Sequence, residues 1–331
     1  MSTRLVGCVL AFAAGIGALG ACGGDDGPTW TVVTEGQPAA LLSAWGSSAT
    51  DVWVVGGDPR DGTGPIALHY DGASWTKLDT GLRSVDLWWV TGIPGGPIFM
   101  SGSNGTIVRY QNGVFEKQVT PGNFIVFGMW GAAPDDVWAV GGSFGGNGFV
   151  WRYDGTAWKT VTDVPADITS QGTCWKVNGR AAGDVWISAT SGTTLHWNGT
   201  ALERVDVPVD GSLLSVAGNS QRFTTVGGAF TGVIYENDGS GWKSVLPSGG
   251  PTLTGVAVSE DQAYAVGQFG TVLSRDDDGG WAVDKPRVTD QNLHAAWIDP
   301  SGGVWAVGGR FDTPPTKDGV LIHKGDPVSF E

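Results

Sequence analysis

Cysteine, histidine and charge are scarce in this chain of 331 residues. Two of the three cysteines, Cys8 and Cys22, fall near the N-terminus, which leaves Cys174 alone in the body. An intramolecular disulfide is therefore excluded as a staple. Charged residues make up only 16% of the chain, and 19 Lys and Arg stand against 33 Asp and Glu, a formal net charge of −14. That balance argues against binding nucleic acid and against electrostatic docking on an anionic lipid surface. The apolar run Leu5–Leu19 is too short and too rich in Ala and Gly to span a bilayer. Four scattered histidines and five tyrosines offer little to a metal or redox centre.

What the chain does have is 55 Gly and 17 Trp. Many tight turns around repeated aromatic layers would use that composition, and aromatic and β-branched residues run throughout, unlike in a disordered chain. The clearest unit is Met129–Val161. An apolar strand ends in Trp130-Gly131, a turn holds Asp135-Asp136, and a second strand, Val137–Val140, stops at Gly141-Gly142. A Gly-rich loop then leads to a third strand ending in Tyr153. Asp154-Gly155 supplies a hairpin turn, and Trp158 opens a fourth strand. No segment of the unit holds a helical period. A lone four-stranded meander cannot cover both of its faces, so copies must stack beside it.

Copies are present. Trp53, Phe99, Trp138, Trp186, Thr224, Tyr264 and Trp305 mark the second strand of seven units, spaced 46, 39, 48, 38, 40 and 41 residues apart. One propeller blade takes roughly 40–45 residues. In six of the seven a glycine follows three residues later, and the fourth has Ala189. The last unit keeps only Pro327–Glu331 for an outer strand, while Thr29–Val33 reads as a spare one. The expectation is an all-β, seven-bladed β-propeller of four-stranded antiparallel blades, closed by the N-terminal strand joining the last blade, which removes an open sheet edge. The blades are placed near 41–78, 85–119, 125–162, 173–206, 213–246, 253–284 and 293–331 plus 29–34, in one domain over 29–331. The Trp-Gly, Asp-Val-Trp, Gly-Gly and Tyr-Asp-Gly-Thr-x-Trp pattern resembles the Kelch-type and BNR (Asp-box)-type propellers of secreted bacterial proteins. Sialidases, lectins, oxidases and scaffolds share such folds, so the resemblance implies no single function.

The N-terminus carries an address. After Arg4 and the short apolar run comes Leu19-Gly20-Ala21-Cys22, similar to a bacterial lipobox. The resemblance implies a signal peptide over 1–21, a lipidated Cys22, and a flexible acidic tether over 22–28. Gly23, not Asp, at the next position implies outer-membrane sorting. The expected location is the cell envelope, with membrane contact through the lipid alone and the protein monomeric.

Chemistry is harder to find. No arginine cluster or Tyr–Glu pair of the sialidase kind stands out, and no catalytic residue is assigned. His69, His196 and His323 recur at equivalent third-strand positions, which reads as structural. Cys174 reads as a small buried residue. Asp276, Asp277 and Asp278 offer either a Ca²⁺ site or a solvated hairpin tip; otherwise no cofactor is expected. Phe144, Phe230, Phe269 and Phe311 each follow the second strand, at the start of a loop that shares one face of a propeller. They would ring that face, beside Arg60, Arg83, Arg287 and Arg310 with Asp61, Asp86, Asp290 and Asp312, ready to stack on sugars or pack on a partner. Alternatively each Phe fills the gap between blades. The irregular loops Asp58–Pro65 and Arg310–Asp318 belong to the same face. Of these, Phe144, Phe230, Phe269, Phe311, Arg60, Arg310 and Asp312 are the binding candidates. The function expected is a non-catalytic binding platform for a protein or glycan of the envelope. A polysaccharide hydrolase or lyase is the alternative, and a scaffold subunit of an adhesion or motility complex is a second.

Overall fold

The computed structural model describes residues 27–246 and 249–330. The signal-peptide and Cys22 expectations lie outside the described residues. Strand β1 (Trp30–Gln37) comes first. Blade 1 follows as β2 (Leu41–Ser48), β3 (Asp51–Gly56), β4 (Ala67–Tyr70) and β5 (Trp75–Lys77). Blade 2 is β6 (Leu87–Gly92), β7 (Ile98–Gly102), β8 (Ile107–Gln111) and β9 (Val114–Lys117). Blade 3 is β10 (Ile125–Ala133), β11 (Asp136–Ser143), β12 (Gly146–Tyr153) and β13 (Trp158–Thr160). A short helix, α1 (Ala166–Gln171), leads into blade 4: β14 (Cys174–Ala181), β15 (Asp184–Ala189), β16 (Thr193–Trp197) and β17 (Leu202–Asp206). Blade 5 comprises β18 (Leu213–Gly218), β19 (Phe223–Gly227), β20 (Val233–Asn237) and β21 (Trp242–Ser244). Blade 6 comprises β22 (Leu253–Val258), β23 (Ala263–Gly267), β24 (Val272–Arg275) and β25 (Trp281–Val283). Blade 7 takes β26 (Leu293–Ile298), β27 (Val304–Arg310) and β28 (Lys317–Lys324) from the C-terminus.

The ring closes as the spare strand predicts. β1 pairs antiparallel with β28, with Trp30 opposite Lys324, giving the order β1-β28-β27-β26. Trp30 is buried there against Tyr264 of the neighbouring blade. The described residues left over at the C-terminus, 325–330, form no strand. Val328 and Phe330 instead pack on the core of blade 1, with Phe330 5.6 Å from the Trp75 ring.

Each repeated motif has a packing role. In Asp-x-Trp the carboxylate accepts from the indole N–H two residues on: Trp53 to Asp51 at 3.0 Å and Trp186 to Asp184 at 3.2 Å. The third-strand histidine lies on the same indole and meets the same carboxylate. His69 stacks 4.2 Å from Trp53 and is 2.7 Å from Asp51; His196 does likewise at 4.2 and 2.9 Å. Arg152 takes that place in blade 3, over Trp138 and bonded to Asp136. In blade 7, His323 covers Trp305 without a hydrogen-bond partner among the described residues, and burial holds its pKa below the ordinary histidine range. These histidines are thus one structural device repeated around the ring.

A tryptophan at the end of one blade's first strand joins it to a glycine near the end of the next blade's first strand. A Cβ on Gly92 would fall inside the Trp45 ring of the preceding blade. Trp130 covers Gly179 and Trp297 covers Gly46 in the same way. Cys174 is fully buried in the blade 3–blade 4 core, and burial pushes its thiol up to about 12, so it behaves as an apolar residue.

Candidate functional site

The first strand of every blade carries a β-bulge at the same place. Pairing skips one residue between Leu41 and Ser43, Leu87 and Trp89, Val126 and Gly128, Cys174 and Lys176, Leu213 and Ser215, Leu253 and Gly255, and Leu293 and Ala295. The skipped residues form a collar of seven: Leu42, Trp88, Phe127, Trp175, Leu214, Thr254 and His294. A bulge bends the strand and re-aims the extra side chain. In six blades the residue before the bulge pairs with the glycine that ends the second strand; in blade 4 Cys174 pairs with Ala189. A Cβ on Gly56, Gly102, Gly141, Gly227, Gly267 or Gly308 would run into the backbone carbonyl of Ala40, Asp86, Ile125, Ser212, Thr252 or Asn292. The recurrent glycine is therefore the backbone partner of the bulge.

Six of the seven collar residues, all but Leu42, line a cavity of about 910 Å³. One side is aromatic. Trp88 and Phe127 meet edge to face at 5.2 Å, and Phe127 and Trp175 lie 5.1 Å apart. Phe144, 66% exposed, leans over all three at 5.4–6.2 Å. Opposite, Phe311 stands edge-on to His294 at 4.9 Å. Trp88 reaches His294 at 5.6 Å.

Two buried ionisable groups interrupt these walls. His294 is buried; its Nδ1–H donates to the Leu42 carbonyl at 2.5 Å, and no described residue partners Nε2. Burial first, and then the neighbouring Lys176, hold the imidazole down to about 3, so it is neutral. Lys176 is 4% exposed. Its Nζ donates to the Phe127 carbonyl at 2.6 Å and sits 4.3 Å above the Trp89 ring. Among the described residues no carboxylate lies within ion-pair distance of it. Burial pulls its pKa down to about 7.

The rim is polar and tightly held. Asp58 accepts from the backbone of Arg60 and Ser84, both at 2.7 Å, and its own N–H donates to Asp86 at 2.9 Å. Arg60 closes the loop by an ion pair to Asp86 at 2.6 Å. Arg60, Ser84 and Asn104 all take left-handed backbone conformations, with φ of 64°, 58° and 57°, and all three line the cavity. Such conformations persist where surrounding bonds over-determine them, as the Asp58 and Asp86 carboxylates do at Arg60 and Ser84.

Of the candidates named from sequence, the structure brings Phe144, Phe311, Arg60 and Asp312 to this cavity. Phe230 and Phe269 do not belong to it. Phe230 is 93% exposed at the tip of its loop, and Phe269 is 58% exposed with φ of 57°, a backbone turn away from the cavity. Neither fills a gap between blades. Arg310 faces Asp318 at 3.5 Å; Arg83 and Arg287 pair locally with Asp79 and Asp290. The expected ring of four phenylalanines is therefore a pair, because loop geometry differs from blade to blade. Asp276 is engaged in its own turn, accepting from Gly280 at 2.6 Å. Asp276, Asp277 and Asp278 are not brought together as a metal-binding group.

Sequence reasoning missed Lys176 and His294. His294 stands second in its inner strand, as Leu42, Trp88 and Trp175 do in theirs, but no local pattern marks Lys176, which lies one residue beyond that column.

No family model and no curated sequence matches the chain. Many solved structures share its fold. The virginiamycin B lyase of Staphylococcus aureus superposes with a TM-score of 0.69 at 11% identity, covering 88% of this chain and 98% of its own. YCF48 bound to a D1 peptide gives 0.67 at 15%, covering 91% and 96%. The WD40 propeller domain of Doa1 gives 0.68 at 10%, covering 90% and 98%. At these identities the likeness extends to the fold alone.

Proposed function

We propose that this chain is a rigid, non-catalytic binding platform, anchored in the bacterial envelope through a lipid on Cys22, and that its ligand, a protein or glycan, seats in the collar cavity. The supporting observation is the half-open aromatic cavity with Phe144 uncovered above Trp88, Phe127 and Trp175. Monomeric proteins seldom leave so large a ring exposed over an aromatic floor without a partner for it. The floor is aromatic, made of Trp88, Phe127 and Trp175, so an apolar group of a protein partner suits it. That YCF48 was solved with a D1 peptide agrees with a propeller of this shape holding a peptide.

A glycan array and an envelope crosslinking experiment test the reading, run on the parent and on Phe144→Ala, Phe311→Ala and Phe230→Ala. Binding that is lost in the first two variants and kept in the third supports the cavity. Binding that survives both cavity variants refutes it.

One observation favours a catalytic alternative. His294 and Lys176 form a pair of neutral-capable bases in one cavity, and a lyase is among the proteins of the same fold. Polysaccharide turnover that disappears in His294→Ala would replace the binding reading with a lyase.

A further inference from the structure

Lys176 carries an unusual burden. Its amine is buried in an aromatic cavity, holds one backbone carbonyl, and has no carboxylate partner among the described residues. A lysine has three donors, so two N–H groups remain unmatched. The groups facing it come from four blades: Trp89 from blade 2, the Phe127 carbonyl from blade 3, its own neighbour Trp175, and the neutral His294 from blade 7. The rim adds Arg60, already neutralised by Asp58 and Asp86, and Asp312 at the exposed edge. Nothing inside supplies the counter-charge.

We propose that the cavity binds a carboxylate carried on an aromatic or branched apolar body, with the carboxylate against Lys176 and the apolar body between Phe144, Phe311 and the collar. The proposal rests on the cavity being the binding site and names what enters it. A carboxylate supplies the missing charge, and a flat or branched apolar body matches walls made of Trp88, Phe127, Trp175 and Phe144. The indole N–H groups of Trp88 and Trp175, buried in the cavity walls without a hydrogen-bond partner, are further donors that a carboxylate can engage. The same chemistry comes from a free aromatic acid or from the C-terminal residue of a peptide chain.

The relation to pH follows. At neutral pH the amine is only partly protonated, so seating an anion draws a proton onto Lys176. Affinity for an acid therefore falls as pH rises above about 7, while affinity for a neutral analogue stays flat.

Calorimetry on the purified full-length chain tests this with 3-phenylpropionate against 3-phenylpropionamide, and with acetyl-Ala-Ala-Phe bearing a free or an amidated C-terminus. The expected result is binding of the acid at least about tenfold tighter than its amide, the advantage vanishing in Lys176→Met. Phe144→Ala should weaken acid and amide alike. A small acid that outcompetes the free-carboxyl peptide identifies a free metabolite as the source, and the reverse order identifies a chain terminus. Equal binding of acid and amide, or a flat pH profile for the parent, overturns the proposal without needing any variant to fold. If no acid binds but a ligand found on the array or by crosslinking is lost in Phe144→Ala, the carboxylate assignment fails while the platform reading stands.

Discussion

At the scale of single residues, burial makes Lys176 and His294 contribute to how stability responds to pH. The native chain holds Lys176 at about 7, whereas an unfolded chain holds it near 10.5. Between those values the unfolded state binds the proton and the native state does not, so this residue makes stability rise with pH. Below pH 7 its full cost is felt. Denaturant titrations from pH 6 to 10 should show the parent gaining stability over that window relative to Lys176→Met. A parallel pair of curves would mean that the amine is not buried as described. His294 acts at the other end. Its native value of about 3 lies well below the ordinary 6.5, so the unfolded chain takes up a proton first as pH falls. The parent should lose stability progressively from about pH 6.5 towards pH 3, and His294→Asn should lose less over the same interval in the same titration.

The unit at the scale of elements is the bulged inner strand with its glycine-ended partner. A methyl on Gly141 meets the Ile125 carbonyl and the Phe149 ring, and a methyl on Gly92 meets the Trp45 indole. Neither obstacle is a flexible side-chain end. Overpacking of this kind costs about 1–3 kcal/mol. Gly92→Ala should lower the unfolding free energy by about that amount, read by urea denaturation. Adding Trp45→Leu to Gly92→Ala should recover part of the loss, because the two side chains compete for one space. A double variant no better than the single one would contradict the account of Trp45 over Gly92 as an interblade joint. The fourth unit differs: Ala189 takes the glycine's place and pairs with Cys174, and nothing in the structure explains the exchange.

The whole molecule depends on closure. β1 supplies the outer strand of blade 7, and Trp30 is buried in that blade's core. Removing residues 29–37 would leave β28 as a bare edge and uncover Tyr264. Such a truncation should aggregate or elute as mixed oligomers on size exclusion, with thermal unfolding well below that of the parent. A monodisperse truncated chain with parent-like melting would show that closure is dispensable. The proposed lipid anchor is tested at this scale too. Full-length protein made in a bacterial host should partition into the detergent phase, and Cys22→Ser should move it to the aqueous phase.

Seven blades were legible because one device recurs. Asp51-Val52-Trp53 and its counterparts place an indole, a carboxylate and a turn at fixed spacing, and period alone counts them. Closure was legible as well, since Thr29–Val33 had no partner of its own. The cavity was not. Its collar draws one residue from each of seven strands some forty residues apart, and no local pattern says that Lys176 will face Trp89, or His294 reach Leu42. The four loop phenylalanines looked equivalent along the chain, yet only Phe144 and Phe311 turn inward. Repeats determine architecture because each packs on a neighbour of the same kind. Which side chains meet at the axis is decided by ring closure, which brings together residues that only the folded molecule makes neighbours.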